Sequence, residues 1–246
     1  MSNARLGVMG AMREEIHQLR LAMDVTREFT YAGNTFYEGT LHEVSIVLCQ
    51  SGVGKVNSAM CTQLLVDRFG ISQLIFTGVA GALHPQLHIG DIVVSTDAQY
   101  HDMDASPLGF ARGVIPFAER SIFVADAALV DLAYQVSCRL YPGKVHQGRV
   151  LSGDQFIASR DMVTILHEQL GGWCTEMEGS AVAHVCDANE IPFVIIRSMS
   201  DRADGSAHVN FTEFVQVVAE HSAAIVQGIC KQISKRFSNN LFVGYD

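Results

Sequence analysis

The stretch Phe193-Val194-Ile195-Ile196-Arg197-Ser198-Met199-Ser200-Asp201 decides how the chain is read. Its first four residues are apolar without alternation and three are β-branched, the pattern of a strand buried on both faces. The strand then releases Arg197, Ser200 and Asp201 at its carboxyl end. Where helices cover both faces of a sheet, ligands collect beyond the carboxyl ends of the strands. This junction is therefore the first place to look for chemistry.

Working outward, Leu74-Ile75-Phe76-Thr77, Asp91-Ile92-Val93-Val94-Ser95 and Val145 to Ser152 read as further buried strands, and Leu6-Gly7-Val8-Met9 as a short first strand. Met12 to Met23 follows as a helix, with Met12, Ile16, Leu19 and Met23 on one side. Tyr31-Ala32-Gly33-Asn34-Thr35 reads as a turn between strands, with β structure at Thr35 to Thr40 and Val44 to Cys49. Helical patterns cover Val56 to Phe69, Ala125 to Arg139, Asp161 to Gln169, Gly179 to Ala188 and Thr212 to Ile233. Strands alternating with helices predict an α/β fold with a central mixed, largely parallel β-sheet flanked by helices. No repeat or Pro/Ser-rich linker divides the chain, so residues 1–246 are expected to form a single domain with its core at about 5–234.

Composition narrows the function. Of 246 residues 48% are apolar and 17% charged, so disorder is not expected. A formal charge of −9 argues against nucleic acid or an anionic membrane as partner, since both call for basic patches. The most apolar stretch, Ile71 to Leu83, is interrupted by Ser72, Gln73, Thr77, Gly78 and Gly81, and falls short of the ~20 residues that span a bilayer. The six cysteines are scattered and sit in apolar contexts, as expected of reduced thiols packed in a cytoplasmic protein. No paired thiols suggest zinc.

Several polar residues are out of place. Glu15 borders the inward stripe of the first helix, just beyond a strand's carboxyl end, where a half-buried carboxylate is poised as a general base; the plainer reading is a helix-start acid. Glu176 and Glu178 flank Met177 before Gly179-Ser180 opens a helix. Such a pair suits the vicinal hydroxyls of a ribose, or else backbone amides satisfy it. Asp201 is placed to protonate a purine nitrogen if its pKa is raised, or to accept from an exocyclic amine, with Ser200 orienting it; the plainer reading is a turn residue. The turns Gly52-Val53-Gly54-Lys55, Gly78-Val79-Ala80-Gly81 and Ser152-Gly153-Asp154 lack nucleotide-loop and dinucleotide-fold spacings and suit close backbone approach to a ligand without phosphate. His84 and His88 have metal-like spacing, but Pro85 intervenes and no acidic third ligand fits, so neither metal nor cofactor is expected. Tyr100-His101-Asp102-Met103-Asp104 reads as a solvated loop or a subunit contact.

Ordered motifs from about Leu6 to about Ile233 resemble the bacterial 5′-methylthioadenosine/S-adenosylhomocysteine nucleosidases, of the purine nucleoside phosphorylase-like superfamily. They are Gly10-Ala11-Met12-x-Glu14-Glu15, Ser51-Gly52-Val53-Gly54-Lys55-Val56, Thr77-Gly78-Val79-Ala80-Gly81, Gly90-Asp91-Ile92-Val93, Ser152-Gly153-Asp154-x-Phe156, Glu176-Met177-Glu178 and Ser200-Asp201. The resemblance implies hydrolysis of the N-glycosidic bond of 5′-methylthioadenosine, S-adenosylhomocysteine and also 5′-deoxyadenosine, in methionine salvage and disposal of methyl-cycle products. It implies catalytic Asp201 at purine N7, Glu15 activating water with Arg197 nearby, and Glu178 on the ribose hydroxyls with Met177 beside it and Glu176 close. It implies further that Phe156 stacks on the base, the Ile157 backbone reads its edge, and Val79, Ala80, Gly81 and Ser200 lie close. Met12, Val53 and Phe211 would form the 5′ pocket, completed by Leu108, Phe110 and Pro116 of the second subunit of a homodimer.

Departures from that pattern are Leu108 for an aromatic residue, Val79 for a common Ser, and Arg13 for the first Glu of a frequent triplet. The alternatives are a 6-amino-6-deoxyfutalosine hydrolase of menaquinone synthesis, a purine nucleoside phosphorylase, or a nucleoside-binding regulatory protein. A phosphorylase would need cationic phosphate contacts, whereas Phe76 and Val79 stand where related phosphorylases carry Arg and Ser.

Overall fold

The structure is a computed structural model that describes residues 5–203 and 207–241. Ten strands and six α-helices follow in order: β1 (Leu6–Gly10), α1 (Arg13–Ala22), β2 (Asp24–Tyr31), β3 (Asn34–Leu41), β4 (Val44–Gln50), α2 (Lys55–Phe69), β5 (Gln73–Ala82), β6 (Ile92–Tyr100), β7 (Ile122–Val124), α3 (Ala127–Leu140), β8 (Val145–Ser152), α4 (Arg160–Leu170), β9 (Gly172–Glu176), α5 (Gly179–Ala188), β10 (Phe193–Asp201) and α6 (Ala207–Leu241). A short 3₁₀ turn covers Ser106–Leu108. The apolar runs of β1 and β10 are buried at every position, as strands covered on both faces must be. No helix among the described residues is long and apolar enough to cross a membrane.

All ten strands join one mixed sheet. Strands β5, β10, β6, β8 and β9 pair in sequence, and β9 returns to pair with β5, so this part closes on itself. Strand β1 lies parallel to β5, β4 lies parallel to β1, and β3 and β2 continue outward as an antiparallel meander. Closure removes most free strand edges around the ring, and ladder hydrogen bonds satisfy most of its buried backbone. One large apolar cluster runs from Leu6 to Cys230 and includes Phe36, Phe76, Phe123 and Ile195. Helix α6 packs on β10, β5, α1 and α3, while α2 and α5 pack together.

The apolar patterns located these strands but understated them. Strands β5 and β10 run on past Thr77 and Arg197 into polar and glycine-rich sequence. Those residues stay paired because β5 and β10 continue together as far as Gly81 and Asp201. Strand β2 was legible only as the element before the turn at Tyr31, because Arg27 interrupts the alternation of Val25, Phe29 and Tyr31 and its residues are exposed or half-buried. The three-residue β7 was missed, and of the five-residue β9 only its end at the strand-to-helix junction of Glu176 was legible, both being too short to show a period.

Candidate active site

The site originates in an interruption of the sheet. On one edge of β5, β1 pairs as far as Met9 with Phe76, and β9 joins only at Gly81 with Thr175. Strand β10 lines the other edge throughout. Between Thr77 and Ala80 the first edge therefore has no strand partner. Glu15 fills part of this interval: its Oε1 accepts from the Val79 amide at 3.0 Å. Its Oε2 accepts from the Ala11 and Met12 amides at 2.6 and 2.9 Å, capping the first turn of α1. Gly78 makes room, because a side chain there would collide with the Glu15 carboxylate and the Arg197 guanidinium. Burial pushes the Glu15 carboxyl above the usual carboxylate range, against the opposing pull of Arg197 and the three amides.

Arg197 lies behind this wall. It is 1% exposed, donates from Nη2 to Glu176 Oε2 at 2.7 Å, and sits 4.0 Å from the Phe76 ring centroid. Burial opposes its charge, but Glu176, Glu15 and Glu178 outweigh that and hold its pKa above the usual arginine value. Glu176 ends β9 with both oxygens engaged. It accepts from Ser152 Oγ, from the Gly179 amide at 2.9 and 2.8 Å, from the Glu178 amide at 3.1 Å, and from Arg197. The amide-satisfied reading thus describes Glu176, and the two carboxylates do not act as an equivalent pair. Glu178, at the start of α5, keeps fewer partners: its Oε1 accepts from the Gly54 amide at 2.8 Å. Burial, reinforced by Glu176, pushes its carboxyl up to about 8.

Asp201 ends β10 and is 3% exposed, with Oδ2 accepting from Ser200 Oγ at 2.8 Å and Oδ1 from the Ala203 amide at 2.7 Å. Gly81, its neighbour on β5, must lack a side chain: a Cβ there would stand 2.8 Å from Asp201 Oδ1. A cavity of about 330 Å³ joins these groups. Its wall carries Glu15, Glu178 and Asp201, and with them Met12, Val53, Val79, Ala80, Gly81, Phe156, Ile157, Glu176, Met177, Ser200 and Phe211. Phe156 and Phe211 meet edge-to-face at 5.9 Å, and Phe156 is half-exposed at the mouth. Arg197 is not on the wall. Nor are Leu108, Phe110 and Pro116; Leu108 is largely exposed and Phe110 packs edge-on against the exposed Phe117.

Three wall residues escaped the sequence reading: Ala11, Gln155 and Thr175. Ala11 and Gln155 lie inside quoted motifs without chemical character of their own, and Thr175 lies on β9 just before the junction that was read at Glu176. Other motifs proved to have structural uses. Val53 of the Gly52-Val53-Gly54-Lys55 turn reaches the cavity, but Gly54 directs its amide at Glu178 instead of approaching a ligand. The Tyr100-to-Asp104 run is not a solvated loop: Tyr100 and His101 are buried, and Asp102 pairs with Lys55. His84 stacks on Trp173 at 3.9 Å, and His88 bonds to Arg202. No cluster of metal-ligating side chains occurs among the described residues.

Comparison with known proteins follows the same lines. The family model of the Phosphorylase superfamily matches residues 5–231. A 5′-methylthioadenosine/S-adenosylhomocysteine nucleosidase of Anoxybacillus flavithermus is 37% identical over 231 residues, 94% of this chain and 99% of that one. The crystal structure of the nucleosidase of that name from Neisseria meningitidis, in complex with methylthio-immucillin-A, superposes with a TM-score of 0.89 at 36% identity, covering 93% of this chain and 99% of that one. The futalosine hydrolase of Helicobacter pylori also superposes at 0.89, with 32% identity over 94% of this chain and 98% of that one.

Proposed function

This chain belongs to the 5′-methylthioadenosine/S-adenosylhomocysteine nucleosidase family of the phosphorylase superfamily, and from that premise we propose how its residues carry the reaction. The enzyme hydrolyses the N-glycosidic bond of 5′-methylthioadenosine and S-adenosylhomocysteine, releasing adenine and the 5′-substituted ribose. The observation that carries the mechanism is a single cavity combining Glu15, Glu178 and Asp201, with no Lys or Arg among its described wall residues. A phosphate nucleophile would have no cationic contact there. Water does not need one.

In the proposed course Asp201 delivers a proton to purine N7 as the C1′–N9 bond breaks, so that the bonding electrons leave on a neutral adenine. Ser200 and the Ala203 amide hold the carboxyl in place for this transfer. Positive charge develops on the ribose, and Glu178, beside the cavity with its other side tied to Gly54, binds the hydroxyls and stabilises that charge. Glu15 takes a proton from the water whose oxygen bonds to C1′. Its burial makes it more basic than an ordinary carboxylate, as this step requires. Arg197 acts from behind by holding Glu176 and balancing the acidic cluster.

We also propose one domain over residues 1–246, a cytoplasmic location consistent with six free thiols, and 5′-deoxyadenosine as a further substrate. Met12, Val53 and Phe211 would receive the 5′ group. A homodimer would bring Leu108, Phe110 and Pro116 of a second copy to that end. The exposure of Leu108 at 71% and Phe117 at 92% supports such a contact.

The test is adenine release from methylthioadenosine in buffer with and without phosphate, followed by S-adenosylhomocysteine and aminofutalosine in the same assay. Adenine and free methylthioribose without phosphate are expected. Release only with phosphate, yielding the ribose 1-phosphate, would overturn the water mechanism.

A further inference from the structure

Outside the cavity wall, Asp102, Lys55 and Asp154 meet in a triangle that no step above uses. Asp102 follows the end of β6, Lys55 begins α2, and Asp154 lies in the loop after β8. The Lys55 ammonium donates to Asp102 Oδ2 at 2.5 Å and lies 3.7 Å from Asp154 Oδ2. The Asp154 amide donates to the same Asp102 oxygen at 3.0 Å, and the Lys55 amide donates to Asp154 Oδ1 at 2.9 Å. The Lys55 and Asp102 side chains are 27% and 13% exposed, so the contact is more shielded than an ordinary surface ion pair.

The triangle joins two lips of the site. Val53 and Gly54 immediately precede Lys55, while Gln155, Phe156 and Ile157 follow Asp154. Gly54 fits between them only as glycine, with φ of +96° and its Cβ position 3.1 Å from Asp154 Oδ1. Its amide is the group that reaches Glu178.

We propose that Asp102, Lys55 and Asp154 are positioning residues that lock the two lips together and hold the Gly54 amide on Glu178, setting the direction in which Glu178 meets the ribose. The inference rests on the ribose role proposed above for Glu178. It has a consequence that a merely structural clamp would lack. Burial, Glu176 and Glu15 disfavour the Glu178 charge, whereas the Gly54 amide and Arg197 favour it. Releasing the amide therefore moves the titration of Glu178 upward.

Full-length Lys55→Met, Lys55→Arg and Asp154→Asn proteins would be compared with the wild type for methylthioadenosine hydrolysis between pH 5 and 9.5, with melting temperature recorded alongside. Lys55→Met is expected to lower kcat/KM at least about tenfold, mostly in kcat, because misdirection of Glu178 is felt as charge develops. The rising limb of its pH profile should move up by about half a unit or more, and Lys55→Arg should restore most of both. A folded Lys55→Met protein within about twofold of wild type overturns the proposal, and so does a rate loss with the limb unmoved. Should Lys55→Met fail to fold, Asp154→Asn, which keeps the Lys55–Asp102 pair, is judged by the same two readings. Silent wild type counts against the reaction; active wild type with indifferent variants counts against the clamp.

Discussion

The Glu15 carboxylate and the Val79 amide are joined by a 3.0 Å hydrogen bond in the interval of β5 that neither β1 nor β9 covers. Every described hydrogen-bond partner of Glu15 is a backbone N–H. Glu15→Gln would set an amide NH₂ against at least one of them. The variant should therefore lose about 1–3 kcal/mol of stability as well as at least about 10²-fold in turnover, while keeping affinity for adenine. Urea denaturation, adenine titration and single-turnover assays check the three parts separately. Unchanged turnover would remove Glu15 from the role of base.

Asp201→Asn keeps the shape of the side chain and an acceptor for one of the two described donors, Ser200 Oγ or the Ala203 amide. The fold should survive, with turnover lowered about 10²- to 10⁴-fold through loss of the proton for N7. Substrates whose leaving group departs readily without protonation should lose much less. Equal losses for both kinds of substrate would show that Asp201 does something other than protonate the base.

Glu178 links stability to pH in a definite direction. Its carboxyl, near 4.3 in an unfolded chain, is pushed up to about 8 by burial and then by Glu176. Between those values the folded protein binds more protons than the unfolded one, so this group's contribution is full below the unfolded value and is lost as pH rises through about 8. The melting temperature of the unliganded enzyme should fall across this window, and Glu178→Gln should flatten the fall. A parallel decline in the variant would assign the effect to other groups.

Arg197 is the charge that keeps the acidic cluster tolerable. Arg197→Met would strand Glu176 as a buried carboxylate and should cost about 3–5 kcal/mol, read from the shift in denaturation midpoint. The double variant Arg197→Met/Glu176→Gln should recover part of that loss, because the stranded charge goes with it. No recovery would mean that stacking on Phe76 matters more than the ion pair.

Sequence reading found the element types around the site and the residues that bear chemistry, because those rest on local patterns: the apolar start of β10, the stripe of α1, the glycines before α2. What it could not reach depends on register. That β5 changes its neighbour between Phe76 and Gly81 follows from which residue of β9 stands opposite Gly81, and nothing local to Gly172–Glu176 records it. The division of labour between Glu176 and Glu178 is equally non-local, since Ser152 and Arg197 arrive from β8 and β10 to occupy the first and leave the second to Gly54. Arg197 illustrates the limit: its place at the end of an apolar strand was legible, but not that it faces away from the cavity onto Phe76.

The interval in β5 bears on how such an enzyme changes over generations. Lengthening β1 or β9 by a residue pair would add ladder hydrogen bonds and favour the folded state, yet it would displace Glu15 from the amide it holds. Selection for robustness alone would thus tend to erase the catalytic position, and only selection for turnover keeps the sheet incomplete. Stabilising substitutions in this protein should accordingly be sought in the outer meander of β2 and β3, where completing a pattern takes nothing from the site.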